Sequence, residues 1–254
     1  MNVASPRQLD GFTRVGNSGQ KLSGTVPQVA SRQTGARAIT VPPLSGAPRG
    51  VIAQLAKRTV CAYVPDRSGS MYGAWGDPSD VCGAAAESLI ELQRRSGGGR
   101  ALVVPWGTDA PANLVVGPLD VRKGKKALST ALREHTSLGG TDLPRALRQV
   151  KASMPALAPD DIPLIFVLSD GIESVTAEMH SAIAALPKGS VHMCLVDRAN
   201  GCTPQMEAAW RTVKFGSFTR LNHLDVSSMT AQLVDIYATT LGLTTSTRTT
   251  NRKR

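Results

Sequence analysis

Between residues 59 and 243 two kinds of hydrophobic pattern alternate along the chain. Short apolar runs over 59–64, 101–106, 113–116, 162–168, 191–196 and 217–221 have the length and composition of strands. The segments between them repeat at helical spacing. Leu143, Leu147, Val150 and Met154 stand at i, i+4, i+7 and i+11, one face of a helix. Val81, Ala85, Leu89 and Leu92 form a similar stripe after Asp77-Pro78-Ser79-Asp80, which suits a cap and first turn. Further helices are predicted over 123–134, over 175–186, from Thr203-Pro204 onward, and over 227–241.

The runs at 101–106 and 113–116 lie too close together for a crossover helix, so they predict a hairpin whose second strand is an antiparallel edge. The other strands are separated by helices and should be parallel. The expected fold class is α/β: an open, mostly parallel, Rossmann-like sheet flanked by helices. Such sheets bind ligands beyond the carboxyl ends of their strands, where strand order reverses. Pro65 lacks a backbone donor and is expected to end the first strand at Val64.

The flanks read differently. Residues 1–56 are rich in Gly, Pro, Ser, Thr and Gln and suggest an arm, the domain proper running over 57–243 and a tail over 244–254. The net charge of +10 suggests a polyanion partner until it is located. Residues 1–58 hold eight Lys or Arg and one acid, and 244–254 hold four Lys or Arg and no acid, so the body between them carries about −1. Basicity therefore resides in the two ends, which are candidates for non-specific nucleic-acid contact. No apolar run is long enough for a membrane span, and no secretory signal is expected. Cys61, Cys82, Cys194 and Cys202 show no CxxC and no metal-ligand spacing with histidine, which predicts reduced thiols and a cytoplasmic location.

Candidate chemistry gathers in three loops. Asp66-Arg67-Ser68-Gly69-Ser70 follows the first strand, Gly139-Gly140-Thr141-Asp142 precedes a helix, and Leu168-Ser169-Asp170-Gly171 ends the fourth strand. Singly, each is an ordinary cap or turn. Together they offer hard oxygen ligands at one sheet edge, the chemistry of Mg²⁺ or Mn²⁺.

Asp66-x-Ser68-x-Ser70, followed by Thr141 and then Asp170, resembles the metal-ion-dependent adhesion site (MIDAS) of von Willebrand factor type A (VWA) domains, over roughly 57–243. The resemblance implies a sheet ordered 3-2-1-4-5-6 with the third strand antiparallel. It implies Ser68, Ser70 and Thr141 as hydroxyl ligands, Asp66 and Asp170 acting nearby or through water, and a coordination position left for an Asp or Glu of a protein partner. The chain departs from the family pattern at Pro65, at Arg67, a fixed cation beside the site expected either to weaken metal binding or to grip the incoming carboxylate, and at 71–76; Arg67, Tyr72 and Trp75 are candidate partner contacts. Asp142 is a further candidate contact, and Asp109 a candidate second rim acid.

Catalytic signatures are missing from the sequence. It contains no GxxxxGK[ST] and no GxSxG, and its four histidines have no carboxylate or cysteine at nucleophile–base spacing. The expectation is a non-enzymatic, metal-dependent protein-interaction or scaffold module, similar to intracellular bacterial members of the family. The alternative is a nucleic-acid-associated or particle-assembly protein that uses its basic ends, with self-assembly through the arm.

Overall fold

The structure, a computed structural model, describes residues 36–72, 78–134, 136–196, 202–221 and 225–246. In chain order the elements are β1 (Leu44–Ser45), α1 (Arg49–Arg58), β2 (Thr59–Pro65), α2 (Pro78–Ser96), β3 (Arg100–Val103), β4 (Val116–Asp120), α3 (Val121–Arg133), α4 (Leu143–Ser153), β5 (Ile162–Ser169), α5 (Ala177–Ala184), β6 (Val191–Val196), α6 (Pro204–Trp210), β7 (Ser217–Leu221), α7 (Val226–Thr240) and β8 (Thr244–Thr245).

Six strands form one sheet in the order β4-β3-β2-β5-β6-β7. All neighbours are parallel except β3 and β4. Counted from the first predicted strand, this is the expected order 3-2-1-4-5-6 with its antiparallel third strand. The central strands are continuous apolar runs because both faces are covered. On β2, Cys61 and Tyr63 face one core with α1, α2, α3 and α7, while Ala62 and Val64 face a second core with α4, α5 and α6.

Several boundaries differ from expectation for physical reasons. β2 runs through Pro65, which pairs with Leu168 of β5. The N–H and C=O of a strand residue point to the same neighbour, and the Pro65 carbonyl accepts from Trp106. Its missing donor therefore falls on the β3 side, where β3 has already ended, while the Asp66 N–H continues the β5 ladder to Leu168 O at 2.9 Å. The edge strand lies at 116–120 rather than 113–116, and 112–114 is a 3-10 turn. Gly117-Pro118 reads as a breaker, but an edge strand tolerates both residues.

Most of α1 lies inside the span read as an arm. Ile52 and Ala56 are its buried residues, too sparse a stripe to read beside Pro48 and Gly50. Val41, Leu44 and Ile52 join the first core. The start of the expected tail is also structured, as β8 pairs with β1.

Candidate metal centre

The carboxyl ends of β2 and β5 place Asp66 and Asp170 side by side, both 0% exposed. One oxygen of Asp66 accepts the Ser68 N–H at 2.7 Å, closing the turn that carries the serines. The other accepts the Ser169 hydroxyl at 2.6 Å. Ser68 Oγ and Ser70 Oγ stand 3.0 Å apart. Asp170 accepts the Ile172 N–H at 3.2 Å through Oδ1.

The third loop is hooked onto the other two. Gly139 O accepts the Gly69 N–H at 2.8 Å, Leu138 N–H donates to Arg67 O at 2.8 Å, and Asp142 N–H donates to Gly107 O at 2.8 Å. Gly139 has φ +86°, a left-handed conformation that suits glycine. The Thr141 hydroxyl donates to Ile172 O at 3.2 Å. The structure thus brings all five predicted ligand residues onto one rim.

No family model matches the chain, and no curated protein matches it. Solved structures do. A von Willebrand factor type A protein from Catenulispora acidiphila aligns at TM-score 0.53 and 19% identity over 72% of this chain and 43% of its own. Proximal thread matrix protein 1 from the mussel byssus, whose structure has a zinc-occupied MIDAS motif, aligns at 0.54 and 14% over 72% and 46%. The pilus adhesin SpaC from Lactobacillus rhamnosus GG aligns at 0.58 and 13% over 82% and 31%. The chain has the fold of a VWA domain. It spans less than half the length of each of these three proteins.

The electrostatics of the VWA rim favour a cation. Burial pushes the Asp66 carboxyl up to about 6, against the hydrogen bonds from Ser169 and Ser68, and the charge of Asp170 adds to the rise. Asp170 Oδ2 is buried with no hydrogen-bond partner among the described residues. Such an orphaned acceptor is costly unless something else meets it. The residues therefore fit a hard divalent ion. Among the described residues no three His, Cys, Asp or Glu cluster as a metal site, and the further oxygens on this rim are the neutral hydroxyls of Ser68, Ser70 and Thr141.

Three residues at the rim were not singled out from sequence. Ser169 locks Asp66 and accepts the Gly171 N–H at 3.0 Å. Its signal was a hydroxyl at the end of an otherwise apolar strand. Thr108 accepts the Gly140 N–H at 2.6 Å and fixes the glycine loop. Glu173 accepts the Leu143 N–H at the start of α4, and burial, with Asp142 and Asp66 nearby, raises its carboxyl to about 7.

The predicted partner contacts fare differently. Arg67 is 2% exposed and does not present its charge to an incoming group. Its guanidinium donates to Ala131 O at 2.5 Å and to the Tyr72 hydroxyl at 3.3 Å. A cation there meets the carbonyl-rich end of α3, which explains why an arginine is held inside. Tyr72 is half-buried and packs against the first core. Asp142 caps α4, accepting the Arg145 N–H at 2.9 Å. Asp109, the candidate second rim acid, pairs with Arg145 at 2.8 Å on the surface. Trp75 lies outside the described residues.

Proposed function

We propose that this chain is a metal-dependent protein-interaction module that binds an acidic residue of a partner at the rim formed by Asp66, Ser68, Ser70, Thr141 and Asp170. The observation that carries the reading is the buried, partnerless Asp170 Oδ2 beside a second buried carboxylate, with three hydroxyl side chains on the same rim. An oxygen-ligand set of this kind suits Mg²⁺ or Mn²⁺. When bound, such an ion supplies a Lewis-acidic position that attracts an outside carboxylate. The protein's own part is to hold the hydroxyls in place. Asp66 orients the Ser68 loop, Ser169 orients Asp66, and the Gly69–Gly139 bond holds the Thr141 loop against it.

The proposal includes no catalytic step. The four cysteines are buried thiols, which supports a reducing, cytoplasm-like compartment. Among the described residues no helix is long and apolar enough to cross a membrane.

Affinity capture with the full chain, in Mg²⁺ and in EDTA, tests the reading. Partners retained in Mg²⁺ should elute with EDTA, and Asp66→Ala should lose them while keeping a folded far-UV spectrum. Capture that is identical in EDTA would end the proposal. Calorimetric titration with Mg²⁺, Mn²⁺ and Zn²⁺ then ranks the ions.

A further inference from the structure

At the amino end of β3, opposite the rim, a cavity of about 400 Å³ is bordered by Arg49, Arg95 and Arg122. Arg49 opens α1, Arg95 lies in the last turn of α2, and Arg122 lies in the first turn of α3. Leu44 and Ile52, each 7% exposed, give it a small apolar floor, and no carboxylate lines it among the described residues.

The three guanidiniums are not equally committed. Arg95 is fixed, donating to Val41 O at 2.9 Å and lying 3.7 Å from Glu91. Glu91 also serves Arg94 and Lys125, both at 2.7 Å, and it lines a neighbouring cleft with Glu87 rather than this one. Arg49 and Arg122 are exposed and have no hydrogen-bond or ion-pair partner for their guanidiniums among the described residues. Asp120 is the nearest acid in sequence, and it is engaged with the N–H groups of Arg122 and Lys123 as the α3 cap. Both free arginines stand in helix first turns that contain no acid. Helix polarity disfavours cations there, so capping does not account for them.

We infer that this arginine-bordered cavity binds the phosphate backbone of single-stranded nucleic acid, with an unpaired nucleoside against the apolar floor. Arginine forks match phosphate oxygens in pairs. The basic surface extends beyond the cavity. Lys57 follows Ala53 by one turn on α1, and Lys126 follows Arg122 by one turn on α3. That extension favours a chain of phosphates over a lone mononucleotide. The concave apolar floor favours an unpaired strand over a duplex. The site lies on the folded body and does not depend on the basic ends or on the metal rim.

The test is fluorescence anisotropy with the full chain in EDTA and a labelled oligouridylate of about 12 nucleotides. The wild type should bind and weaken as salt rises from about 50 to 200 mM. Arg49→Gln/Arg122→Gln should lose about tenfold or more in affinity, and its log–log salt slope should fall by about 1.4, two single-strand phosphate contacts. Lys188→Gln/Lys214→Gln removes the same charge from a separate cavity beside α5 and β6 and should leave binding unchanged. No binding by the wild type, or an equal loss in both double variants, overturns the inference. Uridine monophosphate binding as tightly as the oligomer overturns the strand in favour of a mononucleotide. Because EDTA is present throughout, none of these outcomes bears on the metal rim.

Discussion

The two ends of the sheet differ in the sign of the charges that helix polarity leaves unexplained, acids at the carboxyl end and arginines at the amino end. At the carboxyl end, Asp142 and Glu173 accept N–H groups from the first turn of α4. At the amino end, Arg94 and Arg95 occupy the last turn of α2. Acids at helix starts and bases at helix ends are what the macrodipole rewards. Asp66 and Asp170 answer to no such preference, being two carboxylates buried together at strand ends. Arg49 and Arg122 run against it. In both regions the informative residues are those whose charge the local structure disfavours. Under the readings proposed above, such residues answer to a cation at one end and an anion at the other.

The largest expected effect comes from removing the charge on Asp66 while keeping its shape. Its folded carboxyl titrates at about 6 against an ordinary 3.8, so near neutral pH its ionised form costs the ion-free fold about 3 kcal/mol. Asp66→Asn relieves that cost but weakens the bonds with Ser68 and Ser169. In EDTA the variant should gain about 1–2 kcal/mol of stability. In excess Mg²⁺ the wild type should gain and the variant should not. Urea unfolding in both buffers reads the two signs. An equal destabilisation of the variant in both would make Asp66 a structural cap and remove the contrast with the amino end.

Much of this was legible in the sequence, for reasons visible in particular residues. Both faces of β2, β5 and β6 are buried, so their apolar runs stand out and fix the sheet order once helices are placed between them. The motif Asp66-x-Ser68-x-Ser70 is read from a single turn because the Asp66–Ser68 bond is local. Contacts between distant segments left weaker marks. Ser169 and Glu173 act across gaps of 103 and 30 residues; a hydroxyl ending an apolar strand marks Ser169 without naming its partner, and nothing local marks Glu173. Arg67 reads as a cation beside the site, but its destination, the end of α3, is 64 residues away. The basic charge was counted correctly and assigned to flexible ends. A helix with two buried positions, α1, moves Arg49 and Lys57 onto the body.

Acid should separate the two ends by sign. Burial pushes His192, at the start of β6, down to about 4; its Nδ1 pairs with Ser217 Oγ at 2.9 Å and its Nε2 is buried with no hydrogen-bond partner among the described residues. The unfolded chain binds this proton near 6.5 and the folded chain does not, so its contribution is present above 6.5 and lost as pH falls toward 4. The loss is at most about 3 kcal/mol. Asp66 has a raised folded pKa, so in EDTA the fold gains stability as pH falls from about 6 toward 3.8. Glu173, raised to about 7 by burial, adds a gain of the same sign as pH falls from about 7 toward 4.5, so ion-free protein should be stabilised on balance by mild acid. His192→Gln should enlarge that gain, and Asp66→Asn should diminish it. Two variants with superimposable pH profiles would show that neither group controls acid stability.

The smallest effect on the fold should accompany a clear effect on the site. Ser68 sits buried in the first loop, whereas Thr141 is half-exposed and, among the described residues, its hydroxyl bonds only to Ile172 O. Thr141→Ala should cost no more than about 1 kcal/mol, the usual worth of one exposed-edge hydrogen bond. The same change should weaken Mg²⁺ binding by about tenfold or more, the scale of losing an oriented group at a metal. Thr141→Ser keeps the hydroxyl and should restore most of that affinity in a calorimetric titration. If alanine and serine bind Mg²⁺ alike, the third loop contributes no oxygen, and the rim reduces to the two strand ends that the sheet itself brings together.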